Sequence, residues 1–321
     1  MRKEPMKIGD LLKKYNLLVL LIVFIVIASI LSPNFLTIGN VLNLLQQASI
    51  PGIVAIGMTL VIIISGIDLS VGSVAAFAGM ISAILVSKNV PIIIAVLAGV
   101  VLGAALGLVT GILIAKFGLP DFIASLAMME IARGAALLTT QGVPVFGLSN
   151  EFKFIGGGFI GKVSVSGIIW IILTIFFALL LKYTSFGRSL FAIGGNREAA
   201  RLSGVPIKKV EIIVFTLSGA LAAFAGLVLA SRMYSGQPSV GSGYEMDAIA
   251  ACVLGGTSMA GGRGRISGTV FGAMVIGIIS NGLNLIGVSS YWQLIVKGLI
   301  IACAVVLDSQ KGNLALLRKK K

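Results

Sequence analysis

Long uncharged apolar runs, broken by short polar turns, set the pattern of this chain. The runs over 89–115, 163–181, 212–231 and 266–296 each reach the ~20 residues that a bilayer-spanning helix requires. Threading helices between the polar breaks gives ten, near 17–32, 41–64, 70–87, 91–115, 119–141, 164–182, 210–232, 245–262, 266–287 and 291–308. The pattern predicts an all-α polytopic membrane protein, with a transmembrane domain over 17–308 between an N-terminal segment, 1–16, and a basic tail, 309–321. Leu17–Leu31 follows a positive leader, but SPNFLTIGN after it offers no small-x-small cleavage site, so it reads as a retained helix. Two stretches stay open. The glycine-rich region 142–163 has no assigned structure, and the glycines of 245–262 permit either a span or a re-entrant turn.

Polar residues inside this apolar sequence are few enough to name. SGIDLSVGS, residues 65–73, sets Ser65, Asp68 and Ser70 between two apolar runs. By topology Asp68 lies where the second helix gives way to the third, and a carboxylate there caps free N–H groups and favours the helix dipole. A second reading puts this glycine-flanked turn at the inner mouth of a polar pathway, because irregular backbone in a membrane is tolerated only beside water or protein. Gln46 and Gln47 on the second helix, with Asn281, Asn284, Tyr291 and Gln293 in NGLNLIGVSSYWQ, offer amides and aromatic faces suited to a neutral polyol. The same amides also serve as contacts between helices. Gly99, Gly103, Gly107 and Gly111 recur every four residues and form one side-chain-free ridge, expected to pack within the subunit.

Composition agrees with the pattern. Of 321 residues 57% are apolar and 11% charged, and a mean hydropathy of +1.08 is more than one soluble core can hide. The net charge of +14 invites a nucleic-acid reading until the charges are placed. Of the 25 Lys and Arg, the threading leaves Lys88, Lys153, Lys162 and Arg232 outside and puts Arg133 and Lys297 within helices. The remaining 19 fall on one side, the positive-inside signature, with both termini in the cytoplasm. The expected partner of the basic tail is the anionic inner leaflet, and no nucleic acid is expected.

Catalytic chemistry finds little here. With no histidine, Ser-His-Asp catalysis and histidine metal sites drop out, and no metal site is expected. GGTSMAGGRGR, residues 255–265, lacks the Lys-Ser/Thr of a phosphate-binding loop, so it reads as a flexible helix end with inside-facing arginines. Glu130 and Arg133, spaced i, i+3, are expected to neutralise one another, and Lys297 to snorkel past Tyr291 and Trp292. Cys252 and Cys303 both fall in apolar stretches as small hydrophobes and define no disulfide framework.

The loop 183–209 is too hydrophilic for lipid. It holds a short helix-like piece in which Asn196 is the N-cap, EAARLS follows, and Gly204 and Pro206 stop it. A short helix held on the inner surface reads as a docking element, with an ordinary solvated loop as the alternative. With SPNFLTIGNVLNLLQQASI, GMTLVIIISGIDLSVGS, GGNREAARLSGV and GYEMDAIAACVLGGTSMAGGRGRISGT in order, the chain resembles the permease subunits of bacterial ABC-type monosaccharide importers over nearly its whole length.

The resemblance implies a homodimer in the bacterial inner membrane, a cytoplasmic ATPase subunit, an external sugar-binding protein and a neutral monosaccharide cargo, ribose first. ATP and magnesium would bind the ATPase, and this chain would hold no cofactor. It further implies that Asn196, Glu198, Ala199, Ala200, Arg201 and Gly204 belong to the coupling helix. The Ile-x-Leu-Pro ending of the maltose-type class is missing after EAARLSG, which favours the vitamin-B12-importer-like, type II arrangement. A secondary carrier or channel for a small polar solute is the alternative, and a membrane enzyme a weaker third.

Overall fold

The computed structural model describes residues 16–319, so most of the N-terminal segment and the end of the basic tail lie outside the described residues. Thirteen helices follow in order: α1 (Asn16–Leu31), α2 (Ile38–Ile63), α3 (Val71–Ser87), α4 (Ile92–Ala115), α5 (Asp121–Leu138), α6 (Asn150–Gly157), α7 (Val165–Tyr183), α8 (Ser185–Gly195), α9 (Arg197–Leu202), α10 (Ile207–Met233), α11 (Tyr244–Leu254), α12 (Ile266–Leu285) and α13 (Ser290–Lys319). Among the described residues the only strands are β1 (Phe159–Ile160) and β2 (Val163–Ser164), a two-residue antiparallel hairpin. Five helices, α2, α4, α7, α10 and α12, are long and apolar enough to cross a membrane, and shorter apolar helices accompany them. The chain is a multi-pass, all-helical membrane protein.

Burial separates inner from outer helices. α2 is 89% buried over its apolar window and α10 lies beside it, whereas α4 is only 22% buried and turns Ile93, Leu97, Val101 and Leu108 outward. Helices whose exposed faces are apolar are solvated by lipid or by another apolar surface. α10 is the hub of the packing, touching α4, α3 and α2.

Glycine makes that packing close. From Gly103 to Gly111 the α4 ridge faces α10: a Cβ on Gly103 would lie 2.5 Å from the Gly219 carbonyl oxygen, and one on Gly107 only 2.2 Å from that of Phe215. The contact is mutual, since a Cβ on Gly219 would sit 2.3 Å from the Gly103 oxygen. On its other side α10 meets α3 the same way, with Gly226 against the Ala75 oxygen. Gly99 continues the ridge toward Ser82 and Gly111 toward Ile212. Without side chains between them the backbones reach a separation at which dispersion contacts are dense, the main attraction available when lipid is as apolar as the helix.

Several expectations need correction. The eighth segment is helical only to Leu254, and 255–265 is a glycine turn with positive φ at Gly256, Gly261 and Gly262. Eleven residues span ~16 Å, about half a hydrocarbon core. Ala248–Val253 are buried against protein, which is where a short helix in a membrane can leave its ends.

Arg133 does not pair with Glu130. Its Nη1 instead donates to the carbonyls of Pro238 and Val240 at 2.8 and 2.7 Å, clamping the 235–243 loop. Lys297 does not snorkel outward; its ammonium makes a 2.8 Å salt bridge with Asp247 on α11, with side chains 21% and 12% exposed. Cys252 is buried beside Thr59, but Cys303 is exposed on α13.

The open region 142–163 carries α6 and the hairpin. Ser231 of α10 accepts from the Gly156 N–H and donates to the Phe152 carbonyl, both at 2.6 Å, and Gln46 donates to the Gly156 carbonyl at 2.8 Å. A side chain on Gly156 would drive into the Val228 oxygen at 2.1 Å.

Two variants test the packing. Gly107→Leu forces α4 off α10 and costs more than the ~1–3 kcal/mol usual for overpacking, since the obstacle is backbone; monodisperse protein on size-exclusion chromatography should collapse. Gly134→Ala, whose added methyl meets nothing within 4 Å, should match or exceed the parent's Tm. Lys297→Met should cost about 3 kcal/mol by stranding the Asp247 carboxylate, and adding Asp247→Asn should recover most of the lost Tm.

Candidate functional site

One end of the bundle gathers the polar turns. The carbonyl of Ile63, the last residue of α2, accepts from the Gly262 N–H at 2.9 Å, while a Cβ on Gly194 of α8 would fall 1.8 Å from that same oxygen. Three segments thus meet at one carbonyl: the end of α2, the end of α8 and the 255–265 turn. Ser65 follows in the left-handed region, φ 66°, and its hydroxyl donates to the Ala260 carbonyl at 2.9 Å.

Asp68 is fully buried in this turn. Its Oδ1 accepts from the Ser70 N–H at 3.0 Å and the Ser70 hydroxyl at 2.6 Å, and its Oδ2 accepts from Ser218 of α10 at 2.8 Å. The bond to Ser70 is an Asx-type turn just ahead of α3, whose N-cap position, Ser70 itself, makes no side-chain cap bond. Burial pushes the carboxyl above the usual range, and the serine hydroxyls pull it back. Asp121, in the first turn of α5, holds the same turn by accepting the Ile67 N–H. The sequence carried a signal for it, an acid immediately after Leu-Pro at a helix start; Ser218, one hydroxyl in an apolar run, carried none.

The 183–209 loop folds as two helices. α8 was not predicted, and α9 is the short piece expected from Asn196. The Asn196 Oδ1 accepts from the Ala199 N–H at 2.9 Å, closing the N-terminus. At the other end Gly204 has φ 79°, its N–H donates to the Arg201 carbonyl, and the Val205 N–H donates to that of Ala200. That pair of bonds is a Schellman stop. Ala200 is buried; Glu198 and Arg201 pair with each other on the exposed side, and the guanidinium holds the Glu198 carboxyl below its usual range. Arg197 reaches Glu211 in the first turns of α10 as an ion pair. Together with Ser65, Gly66, Asp121 and Phe215, this pair lines a cavity of about 270 Å³.

The other candidate residues are not brought here. Asn281 and Asn40 exchange two amide hydrogen bonds of 2.9 Å, tying α12 to the start of α2. Gln293 donates to Asn284 at 2.7 Å, Gln47 is half-buried, and Tyr291 is 81% exposed. Asn40 and Ile63 are separated by ~34 Å of helix, so these groups lie at the opposite end from Asp68. Polar residues therefore form two clusters rather than one continuous lining.

Known proteins resemble this chain in sequence. The chain is 49% identical to the "Ribose import permease protein RbsC" of Escherichia coli (strain K12) over 298 residues, covering 92% of this chain and 93% of that protein. It is 45% identical to the protein of the same name from Bacillus subtilis (strain 168), covering 91% of each. Against the "L-arabinose transport system permease protein AraH" of Escherichia coli (strain K12) the identity is 42%, over 96% and 94% of the two chains. No solved structure matches. Residues 40–305 match the family described as branched-chain amino acid transport system / permease component, and the chain belongs to that family of transport subunits.

Proposed function

We propose that this chain is the membrane-spanning subunit of an ATP-driven importer of ribose. The observation that carries the reading is the 49% identity to a ribose import permease with coverage above nine-tenths of both chains. Two copies would enclose the path, each with ten helices in the type II arrangement and both termini in the cytoplasm, in keeping with the bias of Lys and Arg to one side. An external binding protein would deliver the sugar. A separate ATPase, holding ATP and magnesium, would dock on α9.

The contacts around Ile63 give the coupling a physical route. A push on α9 reaches α10 through Arg197–Glu211, and reaches the end of α2 and the 255–265 turn through Gly194. Both lead to the turn at Asp68, which is bonded to α10 through Ser218. This turn is the inner gate in our reading, opened when α9 and α10 shift together.

Reconstitution with the ATPase and binding protein tests the whole reading. Labelled ribose should accumulate in proteoliposomes only with ATP and both partners; uptake by this chain alone on an ion gradient would make it a secondary carrier. For coupling, Gly204→Val strains the left-handed stop and Glu198→Lys reverses the charge on the exposed face of α9. Both variants should insert and fold like the parent while retaining less ATPase on co-purification, with ribose uptake reduced at least tenfold. Orientation is checked in a Cys303→Ser background: Lys162→Cys in the hairpin should react with an impermeant thiol reagent on intact cells, and Arg188→Cys only after permeabilisation. Reversed labelling would overturn the topology.

A further inference from the structure

A cleft of about 780 Å³ opens beside the 255–265 turn, between the end of α7, α8 and the start of α12. Its rim is basic, with Lys182, Arg263 and Arg265, and no carboxylate lines it. None of the three cations takes part in a salt bridge among the described residues. The less exposed part of its lining is apolar: Ala178 and Leu181, one turn apart on α7, with Phe191 of α8 and Ile266 of α12.

The level of this cleft relative to a bilayer is marked independently. α7 exposes Ile171, Ile172, Ile175, Phe176 and Leu179, then ends in exposed Tyr183 with the Lys182 ammonium 4.8 Å from the ring centroid. An apolar helix face closed by a Tyr and a Lys is the pattern of a membrane interface, where aromatic rings sit at headgroup depth. A cleft at that level, with three exposed cations and an apolar lining on the last turns of a helix whose other face is exposed and apolar, has the polarity of one phospholipid molecule.

We propose that this cleft binds an anionic phospholipid of the cytoplasmic leaflet, its phosphate between Arg263, Arg265 and Lys182 and its acyl chain along Ala178 and Leu181 of α7. Charge complementarity selects the headgroup, since basic pockets between helices on the cytoplasmic side attract anionic lipid. The inference rests on the inside placement of this end of the bundle. Because the glycine turn is joined to Ile63 and Ser65, a lipid seated on its arginines would restrain the turn that the coupling helix must move.

Purified chain in neutral detergent is titrated with dioctanoyl phosphatidylglycerol, with dioctanoyl phosphatidylcholine, and with glycerol 3-phosphate as the bare headgroup, and bound ligand is read by native mass spectrometry. Phosphatidylglycerol should bind once per chain, phosphatidylcholine should not, and glycerol 3-phosphate should bind at least tenfold more weakly than the lipid. Arg263→Gln and Arg265→Gln should each weaken the lipid about fivefold, while Arg263→Lys with Arg265→Lys keeps most of the affinity. Ala178→Trp, filling the apolar wall, should weaken the lipid and spare glycerol 3-phosphate.

Equal binding of the two lipids, or parent-like phosphatidylglycerol binding by the double Gln variant, overturns the proposal. If that variant keeps the lipid but loses the ATPase on co-purification, the cleft belongs to an acidic protein surface instead. The titration involves neither sugar nor ATP. Its failure with ribose transport intact would leave the importer reading standing, whereas failed transport with intact lipid binding would count against the importer alone.

Discussion

Close backbone approach along α10 is the constraint on which the rest of this molecule depends. Gly219 and Gly226 place carbonyls of α4 and α3 where side chains would otherwise be, and the facing glycines of α4 return the same intimacy. In water the exclusion of solvent would drive such a contact; in a bilayer the helices exchange one apolar neighbour for another, so attraction depends on how closely atoms approach. α10 carries this locked layer against α2, which α11, α12 and α7 enclose on its other sides, and Asp68 in the turn after α2 reaches Ser218 within α10 while Asp121 at the start of α5 holds the same turn.

Polar chemistry is then confined to the ends and to pairs. Asp68 with its serines and Asp247 with Lys297 each leave a charge only where a partner waits, because an unpaired charge in this surrounding costs several kcal/mol. The two polar clusters at either end of α2 are separated by an apolar interior.

Much of this was legible in the sequence, and the unread parts share a cause. Uncharged runs near 20 residues located α4, α7, α10 and α12, and Asn196 and Gly204 marked α9 because caps are local chemistry decided within a few residues. Arg133 and Lys297 were misjudged because their partners, Pro238, Val240 and Asp247, lie far along the chain and only the fold brings them close. α8 was missed because Gly187, Gly194 and Gly195 argue against a helix, whereas the fold needs Gly194 bare to admit the Ile63 oxygen. The turn after Leu254 was half read: its glycines marked a flexible helix end, but that the backbone takes the left-handed conformation at Gly256, Gly261 and Gly262 depends on contacts that only the fold supplies.

The self-contained build of α9 has a consequence for how such a protein diversifies. Its cap, its stop and the pairing of Glu198 with Arg201 all lie within ten residues, and the buried Ala200 and an ion pair from Arg197 tie it to the body. Leu202, Glu198 and Arg201 point into open space and support nothing behind them. The outward residues of this helix can therefore change without disturbing the helix itself, whereas the glycine-packed interior tolerates almost no change.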